Sequence, residues 1–297
     1  KYSIHEVHYA PLKVFDFNDL AVFPNVATRY GLLHFARDKK VQYPLAYKRH
    51  NNGHWESLLA MPLLGEASPL SVLGEGEQNP LEGFHPIEID KLSSPRQGVN
   101  TSGGNNIFFF TEKEDLGDGT CRVNTTTLLP SEYFKEASLN PKKWVLLPYN
   151  SNGKPLELSQ IKEVPLLYDY LFSHKEALSK RKGTMIQGWV KRGYWWALLG
   201  VGPYNFSNHK VVWEAYGKKV FKPIIVKGDW QANQSLQAFM PTSTLAETQR
   251  IYHALTQPSV EAYLLSLKME GTMNWAQPGK VKKLLKIRKE ATLDLFG

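Results

Sequence analysis

Few residues of this chain have the types and spacing that catalysis requires. Asp38 and Lys40 match the carboxylate-x-lysine half of a nuclease signature, but matches this short arise by chance and the chain contains no Pro-Asp pair to complete it. Two close pairs of histidines could ligate a metal ion, His5 with His8 and His50 with His54, but they lie among turn-forming residues. No Gly-x-Ser-x-Gly elbow and no dinucleotide-binding glycine pattern followed by a helix occurs. We therefore predict neither a catalytic site nor a metal site in this chain.

The strongest chemical signal is positive charge concentrated between residues 175 and 227. This segment holds eleven Lys or Arg residues against Glu176 and Glu214, so its net charge of +9 exceeds the +8 of the whole chain. Aromatic residues lie among these cations, namely Trp189, Tyr194, Trp195, Trp196, Tyr204, Phe206, Trp213 and Tyr216. Cations interleaved with aromatic rings are typical of a surface that binds nucleic acid. A solvated basic face on a basic protein is the alternative.

A second, shorter basic segment lies near the end of the sequence. Residues 280–289 contain six cations and no anion, and apolar residues are spaced between the cations. Such a basic amphipathic segment could contact phosphates, a partner or solvent.

Composition sets the broad class of the protein. A chain of 297 residues that is 42% hydrophobic can bury a core and is expected to divide into two or more lobes. It has no apolar run of about 20 residues and no amino-terminal signal segment, which favours a cytoplasmic protein. Cys121 is the single cysteine, so no disulfide framework is expected, and we interpret it as an inert packing residue.

A glycine-rich polar loop at 97–106 precedes an apolar run at 107–110, which we expect to be a strand. Glycines let the backbone approach a ligand closely, and the amides of Asn100, Asn105 and Asn106 offer donors and acceptors. The loop lacks the Gly-Lys-Ser/Thr ending of a phosphate-binding loop. An ordinary turn is the alternative interpretation.

The elements that must position these residues are predicted from hydrophobic periodicity and turn residues. The sequence predicts strands at 14–17, 20–23, 30–35 and 144–149, a hairpin between 30–35 and 41–47, an irregular connection over 61–95, and one helix over 164–182. Further strands are predicted at 184–190, 194–199, 209–216 and 220–226. Thr244 and Glu247 form a capping box ahead of one helix, and a second helix opens at Ser259. The fold class is therefore α+β, with mixed, mainly antiparallel sheets, a central helix and a C-terminal helical segment.

Four segments together resemble a known family. They are 97–110 (QGVNTSGGNNIFFF), 164–182 (VPLLYDYLFSHKEALSKRK), 200–213 (GVGPYNFSNHKVVW) and 251–267, the last with Tyr252-His-Ala-Leu and Ala262-Tyr-Leu-Leu-Ser. In order and spacing they are similar to the target-recognition region of adenine-specific DNA methyltransferases from bacterial restriction-modification systems, of the TaqI-like kind. The resemblance covers roughly residues 97–267.

The resemblance implies a catalytic domain that this chain does not contain. In that family an upstream domain binds S-adenosylmethionine and carries an Asn/Asp-Pro-Pro-Tyr/Phe motif that holds the flipped adenine. Here Asn79-Pro80 is followed by Leu81, and Asn140-Pro141 by Lys142. The chain is therefore expected to hold no cofactor itself and to work with a catalytic methyltransferase domain upstream or in a separate subunit. The implied divisions are 1–60 as a remnant or bridge of that domain, 61–230 as the recognition core, and 231–297 as a C-terminal helical subdomain.

The implied function is sequence-specific binding of double-stranded DNA. Ten residues are the candidates for phosphate, base or interface contacts: Lys180, Arg181, Lys182, Lys191, Arg192, Lys210, Asn100, Thr101, Asn105 and Asn106. Trp195, Trp196 and Trp213 could belong either to the core or to the surface. Two other classes of function stay open, a single-stranded nucleic-acid or RNA binder that stacks bases on aromatic rings, and a structural subunit whose basic surface faces an acidic partner.

Overall fold

The strands of the protein group into several sheets with helices packed against them. The computed structural model describes residues 2–4, 7–23, 30–66, 68–116, 125–129, 143–216, 221–267 and 275–288. This is an α+β fold with mainly antiparallel sheets, as the sequence predicted. The predictions for Cys121, His5, Lys218 and Lys219 lie outside the described residues.

The amino-terminal sheet has six strands. They are β1 (Tyr2–Ile4), β2 (Val7–Asp16), β3 (Gly31–Arg37), β4 (Leu45–Asn51), β5 (His54–Pro62) and β6 (Leu70–Leu73). The predicted hairpin between 30–35 and 41–47 is wrong, because β3 and β4 both pair with β2, β3 antiparallel and β4 parallel. The hairpin partner of β4 is β5, joined through Asn52 and Gly53, whose positive φ values suit a two-residue turn. The predicted strand at 20–23 is turn and bend instead.

Two four-stranded sheets form the middle of the chain. Their strands are β8 (Arg96–Gln97), β9 (Phe109–Phe110), β10 (Thr125–Leu129), β11 (Lys143–Leu146), β12 (His209–Glu214), β13 (Ile224–Lys227), β14 (Gln231–Ala232) and β15 (Gln237–Thr242). One sheet has the order β14-β10-β11-β9, and the other has the order β13-β12-β15-β8. Two short strands, β7 (Ile87–Ile89) and β16 (Leu285–Ile287), pair in parallel. The strand prediction at 209–216 is thus confirmed over most of its length, and β11 covers residues 144–146 of the strand predicted at 144–149.

Helical structure between 158 and 191 departs from the predictions. It consists of α2 (Leu158–Lys162), α3 (Pro165–Ser173), α4 (Lys175–Ser179) and α5 (Thr184–Lys191), after a short α1 (Asn105–Phe108). The single helix predicted over 164–182 is wrong in length, since the backbone leaves helical geometry at His174 (φ −104°, ψ 4°). The strand predicted at 184–190 is wrong, because Gly183 with φ 114° ends the preceding segment and a helix starts at Thr184. No strand forms at 194–199 either, where the chain turns.

The carboxy-terminal helices agree with the sequence prediction. They are α6 (Leu245–Leu255), α7 (Pro258–Ser266) and the short α8 (Pro278–Val281). The Thr244 side chain accepts a hydrogen bond from the Glu247 backbone N–H at 3.2 Å, which satisfies one of the free amides of the first turn of α6. These helices could be predicted because the capping residues and apolar periodicity that indicate them lie within the segment itself.

Strand β12 lies between two apolar clusters. Val211 and Trp213 pack toward α6, α7 and Trp275, while Val212 packs on the other face with Phe239. Both faces of this strand are therefore enclosed, and Lys210 is buried together with Val212. A separate cluster, built around β11 and the helices from α2 to α4, contains Trp195 and Trp196.

The segment Gly98–Asn100 connects the sheets at close range. The backbone N–H of Val99 donates to the Ala232 carbonyl at 2.7 Å, and Asn100 exchanges two backbone hydrogen bonds with Leu199, each of 2.9 Å. A Cβ atom at Gly98 would lie 2.2 Å from the carbonyl oxygen of Ala232. This approach excludes any side chain at position 98, because the contact is with backbone that is itself hydrogen-bonded.

We predict that Gly98→Ala destabilises the protein by at least about 2 kcal/mol, as overpacking against fixed backbone does. The measurement is the free energy of unfolding in urea. Gly188→Ala is the matched control, because Gly188 lies within α5 and no atom stands within 4 Å of the position that its Cβ would take. Removing a helical glycine there should stabilise by about 0.5–1 kcal/mol. Equal midpoints for the two variants would contradict the close approach at Gly98.

Candidate nucleic-acid interface

Three exposed cations of the basic segment lie at the two ends of helix α5. Lys182 precedes the helix, Lys191 is its last residue and Arg192 caps it, and all three side chains are exposed. The Arg192 guanidinium lies over the Trp189 ring at 4.0 Å from its centroid, and its Nε donates to the Gly188 carbonyl at 3.2 Å. These contacts fix the base of the Arg192 side chain while leaving the residue in solvent.

Lys180 is also exposed but is paired. Its ammonium group contacts the carboxylate of Glu176 one helical turn earlier, and both side chains are largely in solvent. An exposed pair of this kind contributes little to stability and can exchange its partner. Lys180 thus stays in the candidate set together with Lys182, Lys191 and Arg192.

Arg181 must be withdrawn from the set of surface contacts. The residue is only 6% exposed, and its guanidinium donates to the backbone carbonyls of Thr101 at 2.9 Å and Trp195 at 2.7 Å, and through Nε to Leu178 at 3.0 Å. Burial lowers its pKa to about 10, which still leaves it charged at neutral pH. Arg181 is a structural residue because its donors already have acceptors inside the fold.

Lys210 must be withdrawn for the same reason. It is 1% exposed, and its ammonium group donates to the carbonyls of Ser207 at 2.6 Å and Gly228 at 3.4 Å. Desolvation lowers the pKa of this group to about 8, and Asp229 opposes the shift. Lys210 is followed in β12 by apolar residues, but the sequence gave no sign that the cation would be buried together with them.

The polar loop at 97–106 divides in a similar way. Asn105 and Asn106 are exposed at the start of α1, and Asn100 is half-buried. Thr101 is 3% exposed, its hydroxyl contacts the Asn105 side chain, and its carbonyl accepts from Arg181. Thr101 is therefore structural, and the expectation that a strand follows the loop directly is corrected by the single turn of helix at α1.

Three tryptophans of the basic segment belong to the core, while Trp189, Tyr194, Tyr204, Phe206 and Tyr216 are half-buried. Trp195, Trp196 and Trp213 are 7%, 1% and 0% exposed. Their rings pack against other aromatic residues, for example Trp195 against Trp196 at a centroid distance of 5.1 Å. These three tryptophans thus belong to the core, and the aromatic half of the charge-and-ring pattern does not describe a stacking surface.

The second basic segment packs against the protein through its apolar residues. Val281 and Leu284 are buried, while Lys282 and Lys283 are exposed. Two of its cations have acidic neighbours on or beside strand β7: Lys286 lies 3.9 Å from Glu88, and Arg288 lies 3.3 Å from Asp90. These neighbours reduce the positive charge that this segment presents.

A polar cleft of about 450 Å³ that the sequence did not indicate lies beside the loop. Its lining consists of Pro95, Arg96, Gln97, Gly200, Tyr204, Gln277, Pro278 and Gly279. The Arg96 guanidinium stands over the Tyr204 ring at 4.6 Å from its centroid. Arg96 and Gln97 directly precede Gly98. An Arg-Gln pair next to a glycine-rich loop was the one feature of the sequence that could have indicated this cleft.

Comparison with known proteins gives a distant structural likeness. No protein-family model matches the chain, and no curated protein matches it. Among solved structures, the chain is similar to the Type IIL restriction-modification enzyme MmeI in complex with DNA, with a TM-score of 0.46 and 12% sequence identity. The match covers 80% of this chain and 30% of the enzyme's chain, so it spans less than a third of that enzyme.

Among the residues that the structure describes there is neither a metal-binding cluster nor a membrane-spanning helix. No group of three or more His, Cys, Asp or Glu residues within them is arranged to hold a metal ion. None of the helices described is both long enough and apolar enough to cross a membrane.

We predict that Arg181→Met destabilises the protein by about 2–5 kcal/mol, because buried carbonyls lose a charged donor. Arg192→Met is the control, and its effect should stay below about 1 kcal/mol, since it removes one stacking contact and one hydrogen bond, both exposed. Urea denaturation of both variants measures the difference. A mild effect of Arg181→Met would show that its guanidinium is not needed inside the fold.

A second prediction concerns the pH dependence of stability. Below pH 8 the folded and unfolded states both hold the Lys210 proton, so the folded state bears the full cost of the buried charge. Between about 8 and the ordinary value of 10.5 only the unfolded state keeps that proton, so stability should rise with pH, by about 2 kcal/mol from pH 7 to pH 10.

Denaturation at several pH values tests this, with two variants for comparison. Lys210→Met should lose the rise, because the titrating group is gone. Lys227→Met, which removes an exposed lysine on the neighbouring strand β13, should keep it. The same pH dependence in the wild-type protein and in Lys210→Met would refute the shift, because tyrosines with a raised pKa, such as Tyr263, affect both proteins alike.

Proposed function

We propose that this chain binds double-stranded DNA as the target-recognition part of an adenine-specific DNA methyltransferase of a restriction-modification system, of the TaqI-like kind. The observation that carries the proposal is the exposed cation group Lys182, Lys191 and Arg192 at the ends of helix α5. No acidic residue occurs between Glu176 and Glu214, so nothing within that stretch neutralises the group. Such a local excess of positive charge attracts a polyanion.

The proposed role of these residues is to hold the duplex rather than to do chemistry. Lysine and arginine side chains bind phosphates and fix the orientation of a protein on DNA, while sequence is recognised through base edges in the grooves. Asn105 and Asn106 are exposed beside the same region and can supply neutral donors and acceptors. Extrusion of the adenine and transfer of the methyl group are assigned to a separate catalytic domain.

The cleft described above does not fit S-adenosylmethionine. The polar cleft at Arg96 has no carboxylate in its lining, whereas a carboxylate is the group that commonly binds the ribose hydroxyls of a nucleoside cofactor. The sequence also lacks the family's Asn/Asp-Pro-Pro-Tyr/Phe motif. The cofactor is therefore proposed for the catalytic domain, and no step is assigned to it here.

The amino-terminal sheet is proposed to contact that catalytic domain. Leu32 and Leu33 on β3 are 50% and 49% exposed, and Phe23 and Trp55 are 55% and 43% exposed. Several large apolar side chains left in solvent on one sheet are typical of a surface that packs on another domain. This supports the role of residues 1–60 as a bridge.

The burial of the tryptophans weighs against the single-stranded alternative. A stacking platform needs exposed rings on which successive bases can lie. Trp195, Trp196 and Trp213 are enclosed in the protein, and the Trp189 ring is already covered by Arg192. A duplex bound through phosphates agrees better with exposed cations around α5.

The test is the salt dependence of duplex binding. Replacing Lys182, Lys191 and Arg192 together by Gln should weaken binding of a mixed-sequence duplex and reduce the slope of log K against log salt by about 0.9 for each phosphate that is no longer bound. The matched control is Lys39→Gln with Lys40→Gln, which removes exposed cations from the amino-terminal sheet. Binding should respond far less to that change.

Three results would count against the proposal. They are an unaltered slope in the triple variant, an equal effect of the control variant, and tighter binding of single strands than of a duplex by the unmodified chain. Fluorescence anisotropy over a salt series measures all three quantities.

A further inference from the structure

The polar cleft beside strand β8 contains a guanidinium whose Nε has no hydrogen-bond acceptor. The Arg96 Nε atom is buried and finds no partner among the residues that the structure describes. The guanidinium is nevertheless held in place, because it lies over the Tyr204 ring at 4.6 Å. The guanidinium lines an open cleft, so its outer nitrogens are suited to an acceptor that comes from outside.

The ring beneath Arg96 is itself fixed. Tyr204 lies in the 3₁₀ turn Pro203–Phe206 and packs on Phe239 of β15 at a centroid distance of 6.2 Å. Phe239 is directly opposite Arg96 in the pairing of β15 with β8. Arg96, Tyr204 and Phe239 are therefore on one face of the sheet, and the stacked arrangement follows from the strand register.

Gln97 points away from this stack but also lines the cleft. Its Nε2 donates to the Tyr216 hydroxyl at 2.9 Å, and its Oε1 accepts from Gln234 at 3.2 Å. Both ends of the amide are thus occupied within the protein. Gln97 can orient strand β8, but the donors that are free to bind a ligand belong to Arg96.

We propose that Arg96 is a specificity-determining residue that recognises a guanine base in the bound duplex, with Tyr204 as its positioning residue. The inference rests on the proposed function, since it names the base contact that the DNA-binding chain would make. Guanine presents two adjacent acceptors, O6 and N7, in the major groove, and these match the planar donor fork of arginine. The ring of Tyr204 holds the fork in one plane, which favours this geometry.

The chemistry of the cleft favours a base edge over a phosphate. The other residues of its lining are neutral, and they comprise two glutamines, two prolines and two glycines besides Tyr204. A phosphate site usually gathers several cations or backbone amides, while a base-edge site needs one planar donor group and room for a flat ring. Gly279 leaves that room on one wall of the cleft, since a Cβ there would have no neighbour within 4 Å.

The experiment selects bound sequences from a duplex library with a randomised window and compares the chain with three variants. The unmodified chain should select a motif containing a guanine, and replacing that guanine by 7-deazaguanine should weaken binding. Arg96→Lys keeps the charge but loses the fork, so it should lose about 5- to 150-fold of the preference for guanine at that position while the salt slope stays unchanged.

Tyr204 tests the positioning role. Tyr204→Phe keeps the ring and should retain the preference, whereas Tyr204→Leu should reduce it without altering binding of mixed-sequence DNA. Arg250→Lys on helix α6 is the matched control, because it makes the same exchange at an exposed arginine outside the cleft. Thermal unfolding of each variant confirms that it is folded.

The outcomes separate this inference from the function on which it rests. Duplex binding with an unchanged guanine preference in Arg96→Lys would overturn the inference alone. Failure of the unmodified chain to bind duplex DNA would overturn both. Loss of the preference in Arg96→Lys and Tyr204→Leu, with its retention in Tyr204→Phe, supports the assignment.

Discussion

The region that carries the exposed cations depends on one buried guanidinium. Arg181 joins three stretches of chain that are distant in sequence, because it donates to the carbonyls of Leu178, Thr101 and Trp195. These are the end of a helix, the polar loop and the turn after α5. Burying a charge is costly unless its donors are used, and here Nε and both terminal nitrogens of Arg181 each donate to a backbone carbonyl. Lys180 and Lys182 are exposed and adjacent to Arg181, so the fixed position of Arg181 also fixes the backbone of both lysines.

A second constraint is the close backbone contact at Gly98. Through it the strand that bears Arg96 is held against the Ala232–Asn233 backbone, and Gly200 lies against the Gly98 carbonyl oxygen, 2.7 Å from where a Cβ would stand. Gly200 has a φ of 72°, so glycine is favoured there by conformation as well as by space. The glycines of this loop thus serve mainly to allow close packing of the backbone. Its polar residues are available for binding at the exposed end, at Asn105 and Asn106.

What the sequence could predict is what depends on neighbours along the chain. The cap at Thr244, the strands at 30–35 and 209–216, and the α+β class follow from turn residues and periodicity. Helix α5 was missed because its aromatic and β-branched residues, such as Trp189 and Val190, favour strands in isolation, while the packing that holds them in a helix is tertiary. The burial of Arg181 was beyond prediction, since one of its acceptors lies 80 residues away.

The burial of two candidate cations also changes how the positive charge between residues 175 and 227 is interpreted. Arg181 and Lys210 are enclosed, so their charges support the fold, and the contacts proposed for DNA fall to residues that are exposed. From Arg192 the chain passes through the buried Trp195 and Trp196 to Leu199, which pairs with Asn100, and then to Gly200 in the wall of the cleft. Phosphate contacts at α5 and a base contact at Arg96 would therefore be connected by a packed segment rather than by a mobile loop. Such preorganisation favours selectivity, because a duplex bound at α5 would lie at a fixed distance from Arg96.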